Sequence, residues 1–243
     1  GKKTMIDQNL IKTIALKQQT SEVNVRREYV QHLFLSYFYR QRQTNKIFFK
    51  GGTALRLIYG SPRFSEDLDF SSTLILIKPI ETAALEALNA IEKEGIKTAI
   101  EESKITAGGY LGVFSFTLTG VAVWLKLEIS SRDKQVVGEP VTVVGDFLPA
   151  YTVMILKQEQ LIAQKIRALK LRQKPRDWYD LYFILRANLL PVAQRRILSQ
   201  LGGKLKNNRI DFTGELKLFL PQSHWLVVKD FKSVLEREIR KYG

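Results

Sequence analysis

Asp67 and Asp69 are the residues of this chain best placed to do chemistry, because they stand two apart in the run Asp67-Leu68-Asp69-Phe70. Side chains alternate along a strand, so the two carboxylates share one face while Leu68 and Phe70 turn to the apolar side. Two such acids repel each other unless a cation lies between them. The pair suits divalent metals about 3.5–4 Å apart, the arrangement that serves in-line displacement at phosphorus. Upstream, Gly51 and Gly52 follow the apolar run Ile47 to Phe49. Glycines let backbone N–H groups approach an anion, and a helix starting near Thr53 adds the positive end of its dipole. Taken singly, a Gly-Gly pair reads as a tight turn and a D-x-D as a solvated strand edge. Together, with apolar neighbours, they form a phosphate cradle beside an acid pair. The chemistry indicated is nucleotidyl transfer.

Three further residues could complete such a site. In the run Val121 to Ser130, Trp124, Lys126, Glu128 and Ser130 alternate with an apolar face. Glu128 either pairs with Lys126 or Lys104, or serves as a third metal carboxylate from a strand beside the two aspartates. Lys165 has Leu161, Ile162, Ala168 and Leu169 as its helical neighbours, so it projects from an apolar stripe. An ammonium there must snorkel, pair with an acid, or enter a cleft, where it would hold a triphosphate and offset charge on departing pyrophosphate. Asp177 falls in the first turn after Pro175, where the helix dipole favours any acid. It shares a face with Asp180 on a helix apolar nearly all round, so both acids need partners such as Lys165, Arg172 or Arg176.

Composition narrows the class. The chain has 243 residues with no cysteine and only His32 and His224, which excludes disulfides and thiolate metal sites and disfavours zinc. The stretch Gly1 to Leu10 is polar and lacks the apolar segment of a secretory signal. No apolar run approaches the roughly 20 residues that cross a bilayer. A cytoplasmic protein without membrane contact is the simplest expectation. The formal net charge of +14 suits a polyanionic partner. It is densest from Lys157 to Arg176, with Lys165, Arg167, Lys170, Arg172 and Lys174 against Glu159. A basic surface that only aids solubility is the plainer alternative.

The elements that must hold these residues follow from periodicity. Residues 6–42 read as two helices, with His32 beside an aromatic stripe as a packing residue. Ile47 to Phe49 reads as a short buried strand, followed by a helix to about Tyr59 that Gly60-Ser61-Pro62 breaks. Residues 80–94 form an amphipathic helix ending at Gly95. Then the period becomes two over 96–106, 110–119 and 121–130, with Thr119-Gly120 as a tight connection. Another strand is expected over 141–147, and Pro149 marks a change in texture. Helices are expected at 157–173, 175–187, 191–201 and 229–241, with Pro175 and Pro191 at first helical positions. The expected fold class is α/β (α+β), with a mixed sheet in an N-terminal part at 1–148 and a basic helical part at 149–243 that completes the active site.

The segments F-K-G-G-T-A-L, R-F-S-E-D-L-D-F, E-Q-L-I-A-Q-K-I-R-A-L and P-R-D-W-Y-D-L together resemble the AbiEii/MenT nucleotidyltransferase toxins, a group within the polymerase-β-like nucleotidyltransferase superfamily. The resemblance spans about Phe49 to Leu185. Gln164 departs from it, since the group more often has an acid before the lysine. The resemblance implies a polymerase-β-like core, with Gly52 and Thr53 holding NTP phosphates beside the Gly51 turn. It also implies that Asp67 and Asp69 bind Mg2+, with Glu128 as a weaker candidate ligand. Lys165 matches the third-motif lysine and Asp177 the fourth-motif aspartate, both needed for activity. Arg63 and Ser65 fall in the first motif, in support of the acids or the triphosphate. Members of the group work beside a cognate antitoxin, and several add nucleotides to the 3′ end of tRNA. The expected acceptor is therefore RNA, with a protein hydroxyl, or a catalytically inactive RNA- or partner-binding module, as the alternatives.

Overall fold

The period-two runs assemble into a single mixed sheet of seven strands in the computed structural model, which describes residues 6–74 and 76–242. The chain separates into two units, one holding residues up to Gly60 together with Phe64–Leu156, the other holding Ser61–Arg63 and everything from Lys157 onward. The junction thus falls at 156/157, where the sequence suggested 148/149. The segment after Pro149 is a strand that the sequence reading did not identify.

The first unit opens with α1 (Gln8–Lys17) and α2 (Glu22–Phe38). Asp7 caps α1 by accepting from the Leu10 amide at 2.7 Å, and the Ser21 hydroxyl caps α2 by accepting from the Asn24 amide at 3.3 Å. β1 (Ile47–Lys50) leads directly into α3 (Gly51–Leu57), then β2 (Leu68–Ser72) and α4 (Lys78–Lys93). The long strands β3 (Lys97–Thr106), β4 (Gly109–Leu118) and β5 (Val121–Ser130) follow, then β6 (Gly138–Val143) and β7 (Tyr151–Leu156). The expected strand at 141–147 therefore begins and ends earlier. Sheet order is β3-β4-β5-β2-β1-β7-β6, with β2 in the middle. β2 runs antiparallel to β1 and parallel to β5, and β1 runs parallel to β7.

This order explains the apolar pattern. Ile47, Phe48 and Phe49 of β1 and Leu68 and Phe70 of β2 are buried, and α2 packs against both α4 and the sheet. Because α2 has neighbours nearly all round, it is buried along most of its length. Phe70 meets Phe38, Tyr39 and Phe49 with ring centroids 5.5–6.3 Å apart. At the β4–β5 connection Thr119 and Gly120 both have positive φ, +48° and +78°, as a two-residue hairpin turn requires. Arg26 of α2 donates to the Thr119 hydroxyl at 3.3 Å and so anchors that turn. His32 is buried, with Nδ1 2.8 Å from the Tyr151 hydroxyl, as the packing reading anticipated.

The second unit is helical: α5 (Gln158–Arg172), α6 (Pro175–Arg186), α7 (Ile197–Asn207), α8 (Thr213–Phe219), α9 (Trp225–Lys229) and α10 (Phe231–Tyr242). Gln173 closes α5 in the left-handed region at φ +52°, and Pro175 starts α6. Pro191 does not open an α-helix. It precedes a 3-10 turn at Val192–Gln194, and α7 begins only at Ile197. Trp178, Tyr179, Leu181 and Phe231 form the core, with Tyr179 stacked on Phe231 at 5.7 Å. Among the described residues no helix is long and apolar enough to cross a membrane.

Candidate active site

The backbone register sets out the acid row of the first unit. Asp69 pairs with Glu128 on one side and with Lys50 on the other, while Leu111 and then Lys104 continue the row beyond Glu128. Residues paired across a sheet point to the same face, and neighbouring strands lie about 4.8 Å apart. Asp69 and Glu128 are therefore lateral neighbours, and Asp67 joins them from just before β2. Leu68 and Phe70 fill the core behind them. Both aspartates are half-buried.

Gly51 determines how closely this row approaches α3. Its φ is +86°, and a Cβ built there would collide with the Asp69 carboxylate and lie 2.9 Å from Asp69 Cβ. Only glycine fits, for conformation and for space. Thr53, two residues on, is fully buried, and its hydroxyl donates to the Asp67 carbonyl at 2.6 Å. Gly52 is buried between them. The glycine turn and the acid strand are thus joined by a close approach at 51/69 and a hydrogen bond at 53/67. Ser65 lies in the loop leading to β2, where Gln31 donates to the Ser65 and Glu66 carbonyls at 2.8 and 3.2 Å. Arg27 pairs with Glu66 at 3.2 Å. α2 therefore holds the loop from behind.

Glu128 carries the partner that strand alternation indicated: its Oε2 lies 3.0 Å from Lys126 Nζ, while Lys104 pairs with Glu102 instead. The Lys126 ammonium is held above its ordinary pKa, first by the Glu128 hydrogen bond and then by Asp67 and Asp69. Lys126 thus senses all three acids. The sequence offers Lys126 only as a partner for Glu128; its place beside Asp67 and Asp69 comes from the pairing of β2 with β5. Among the described residues no three of His, Cys, Asp or Glu converge on one point. The donors that do adjoin are carboxylate oxygens, hard ligands of the kind Mg2+ takes. That ion is commonly held by one or two protein carboxylates, with water and substrate phosphate completing its shell. Asp67 and Asp69 fit that donor set.

Lys165, Asp177 and Arg63 belong to the second unit. Asp180 is the hub for Arg63 and Lys165. It is buried, Arg63 donates to both of its oxygens at 2.8 and 3.0 Å, and Lys165 Nζ lies 2.7 Å from Oδ2. Burial alone would raise the Asp180 carboxyl, but Arg63 and Lys165 outweigh it and keep its pKa below the ordinary value. Lys165 therefore pairs with an acid on its apolar stripe. Asp177 also has a partner, Arg172 at 2.6 Å, and its carboxylate accepts from the Lys174 amide at 3.2 Å at the start of α6. Arg176 pairs with Glu215. The sequence placed Arg63 in the first motif and did not link it to Asp180.

Comparison with known proteins adds the lineage. A family model described as nucleotidyl transferase AbiEii toxin, type IV TA system, matches residues 33–236. The fold is similar to that of MenT4, a nucleotidyltransferase toxin from Mycobacterium tuberculosis H37Rv, with a TM-score of 0.66 at 17% identity, covering 96% of this chain and 88% of that one. It is also similar to JHP933 from Helicobacter pylori, with a TM-score of 0.56 at 21% identity, covering 91% and 95%. A further H. pylori nucleotidyltransferase structure gives 0.57 at 20% identity, covering 92% and 99%. Among curated proteins no sequence matches significantly.

Proposed function

Because the chain belongs to the AbiEii family of nucleotidyltransferase toxins, we propose that it moves a nucleoside monophosphate from an NTP to the 3′-hydroxyl of an RNA, in particular the 3′ end of a tRNA, with release of pyrophosphate. The observation that carries this reading is the Asp69 carboxylate against the Gly51 turn, in register with Glu128. In it, the amides at Gly51 and Gly52 bind NTP phosphates, helped by the positive end of α3. Asp67 and Asp69 are the Mg2+ ligands, with Glu128 adjoining. When bound, the ion would neutralise charge at the reacting phosphate. Thr53 holds Asp67 in place through its backbone, and Gln31 and Arg27 hold the Ser65 loop. Lys126 keeps a cation beside the acids.

Lys165 and Asp177 enter the proposal as residues required for activity. Lys165 does so through an ammonium oriented by Asp180, which Arg63 holds in turn. Fixed charges of this kind contribute roughly 3–4 kcal/mol each to a transition state, so Lys165→Ala should lower turnover at least a hundredfold. As a toxin of a toxin–antitoxin system the chain has a cognate antitoxin as partner, and the reading sets both in the cytoplasm with NTP and RNA.

The direct test incubates the chain with each α-labelled NTP and total RNA, with and without Mg2+, and separates RNA from protein. Label should enter RNA only with Mg2+, and Asp67→Ala and Asp69→Ala should abolish it while unfolding as the parent does. Label in protein would move the acceptor to a protein hydroxyl, and full transfer by the double variant would reject the scheme.

A further inference from the structure

Trp124 stands out on the sheet face that carries the acids. It is 57% exposed. β5 alternation puts it on the side of Lys126 and Glu128, four residues from Glu128, or about 13 Å at roughly 3.3 Å per residue. Its cross-strand neighbour is Ser115, and Ser115 pairs onward with Ala99. Both are small, so neither side chain reaches over the indole. Among the described residues no ring or cation stacks on it. The adjoining rows carry Lys126 on one side and, opposite Thr117, Lys97 on the other. Glu101 accepts from the Ser115 hydroxyl at 2.6 Å, so the Trp124 row itself disfavours a phosphate.

We propose that Trp124 is a stacking platform for a base of the acceptor's single-stranded 3′ segment, a few nucleotides back from the end that reacts beside Asp69 and Glu128. The inference rests on the reading of the acid row given above. An open aromatic face takes any base, and lysines flanking it suit the backbone on either side. At about 3.4 Å of rise per stacked nucleotide, 13 Å corresponds to some four nucleotides. A base attached to the reacting NTP itself would lie much closer to the acids. The platform therefore belongs to the acceptor and not to the donor nucleotide.

The test measures binding without turnover. A labelled 12-nucleotide single-stranded RNA and its blunt duplex are titrated with the full chain in the absence of NTP and metal, and NTP is titrated separately. Trp124→Ala should weaken single-strand binding about five- to a hundredfold. Trp124→Phe should restore most of it, and Trp225→Ala should have little effect. Blunt-duplex and NTP affinity should stay within about twofold. Because Trp124 is exposed, its variants should unfold at the parental temperature. Unchanged single-strand binding by Trp124→Ala overturns the proposal, as does an equal loss for the duplex, or a loss confined to NTP. None of these measurements depends on nucleotide transfer, so an inert Asp69→Ala variant that still binds through Trp124 separates this inference from the catalytic one.

Discussion

Asp69 lies against Gly51 so closely that no side chain at position 51 could coexist with its carboxylate. The contact joins the turn that would bind phosphate to the strand that would bind metal. Gly51→Ala must move one or the other. Gly60, with a similar positive φ of +76° but nothing within 4 Å of an added Cβ, is the matched control. Gly60→Ala should lose about 1 kcal/mol of stability from the unfavourable φ, and Gly51→Ala about 1–3 kcal/mol more, because Asp69 must also shift. Only Gly51→Ala should also lose nucleotide transfer, by at least a hundredfold. Equal activity in the two variants would show that the approach of Asp69 is incidental.

Thr53 offers a gentler probe of the same junction. Its hydroxyl bond to the Asp67 carbonyl is 2.6 Å and buried. Thr53→Val keeps the shape and removes the donor, so it should destabilise the chain by about 1–3 kcal/mol in denaturant unfolding. Thr53→Ser keeps the donor and should cost less. The reverse order would mean that the methyl group matters more than the bond.

Asp180 holds two buried or nearly buried cations, Arg63 and Lys165. Asp180→Ala leaves both without their acid and should cost at least about 3–5 kcal/mol by urea unfolding. A loss below about 1 kcal/mol would mean that the cations find other partners. The sign of the pH effect follows from the lowered Asp180 pKa. Its contribution is present above the ordinary carboxylate range and disappears as pH falls through the lowered folded value. The parent should therefore lose more stability on acidification than Asp180→Ala does.

His32 makes a second, distinct acid response. Burial, reinforced by Arg56, lowers its pKa to about 4, while Asp146 acts weakly the other way. The ring is neutral when folded and protonates near 6.5 when unfolded. Stability should thus be complete above about pH 6.5 and fall as pH drops towards 4, by roughly 3 kcal/mol in all. An NMR titration of the His32 ring giving a midpoint near 6.5 would contradict this.

The Asp180 and His32 effects share one feature: each depends on neighbours distant in sequence. Much else was legible locally. Alternation placed Asp67 and Asp69 opposite Leu68 and Phe70, set Glu128 beside Lys126, and located the turn at Thr119-Gly120, because side-chain direction and turn conformation depend on adjacent residues. Lys165 was visible as a charge on an apolar stripe, with an acid partner as one of three outcomes beside snorkelling and a cleft.

What the chain alone determined, then, is which residues are candidates for chemistry and which way each faces along its own strand or helix. The tertiary structure decided their partners. It chose the parallel pairing of β2 with β5, which makes Glu128 a neighbour of Asp69, and it recruited Arg63 to Asp180 across 117 positions. It also added β7 beyond Pro149, beside β1. Strand order and buried ion pairs are settled by which surfaces can leave water together and which charges then need compensation. Those are sums over the whole folded chain, and no local run of residues contains them.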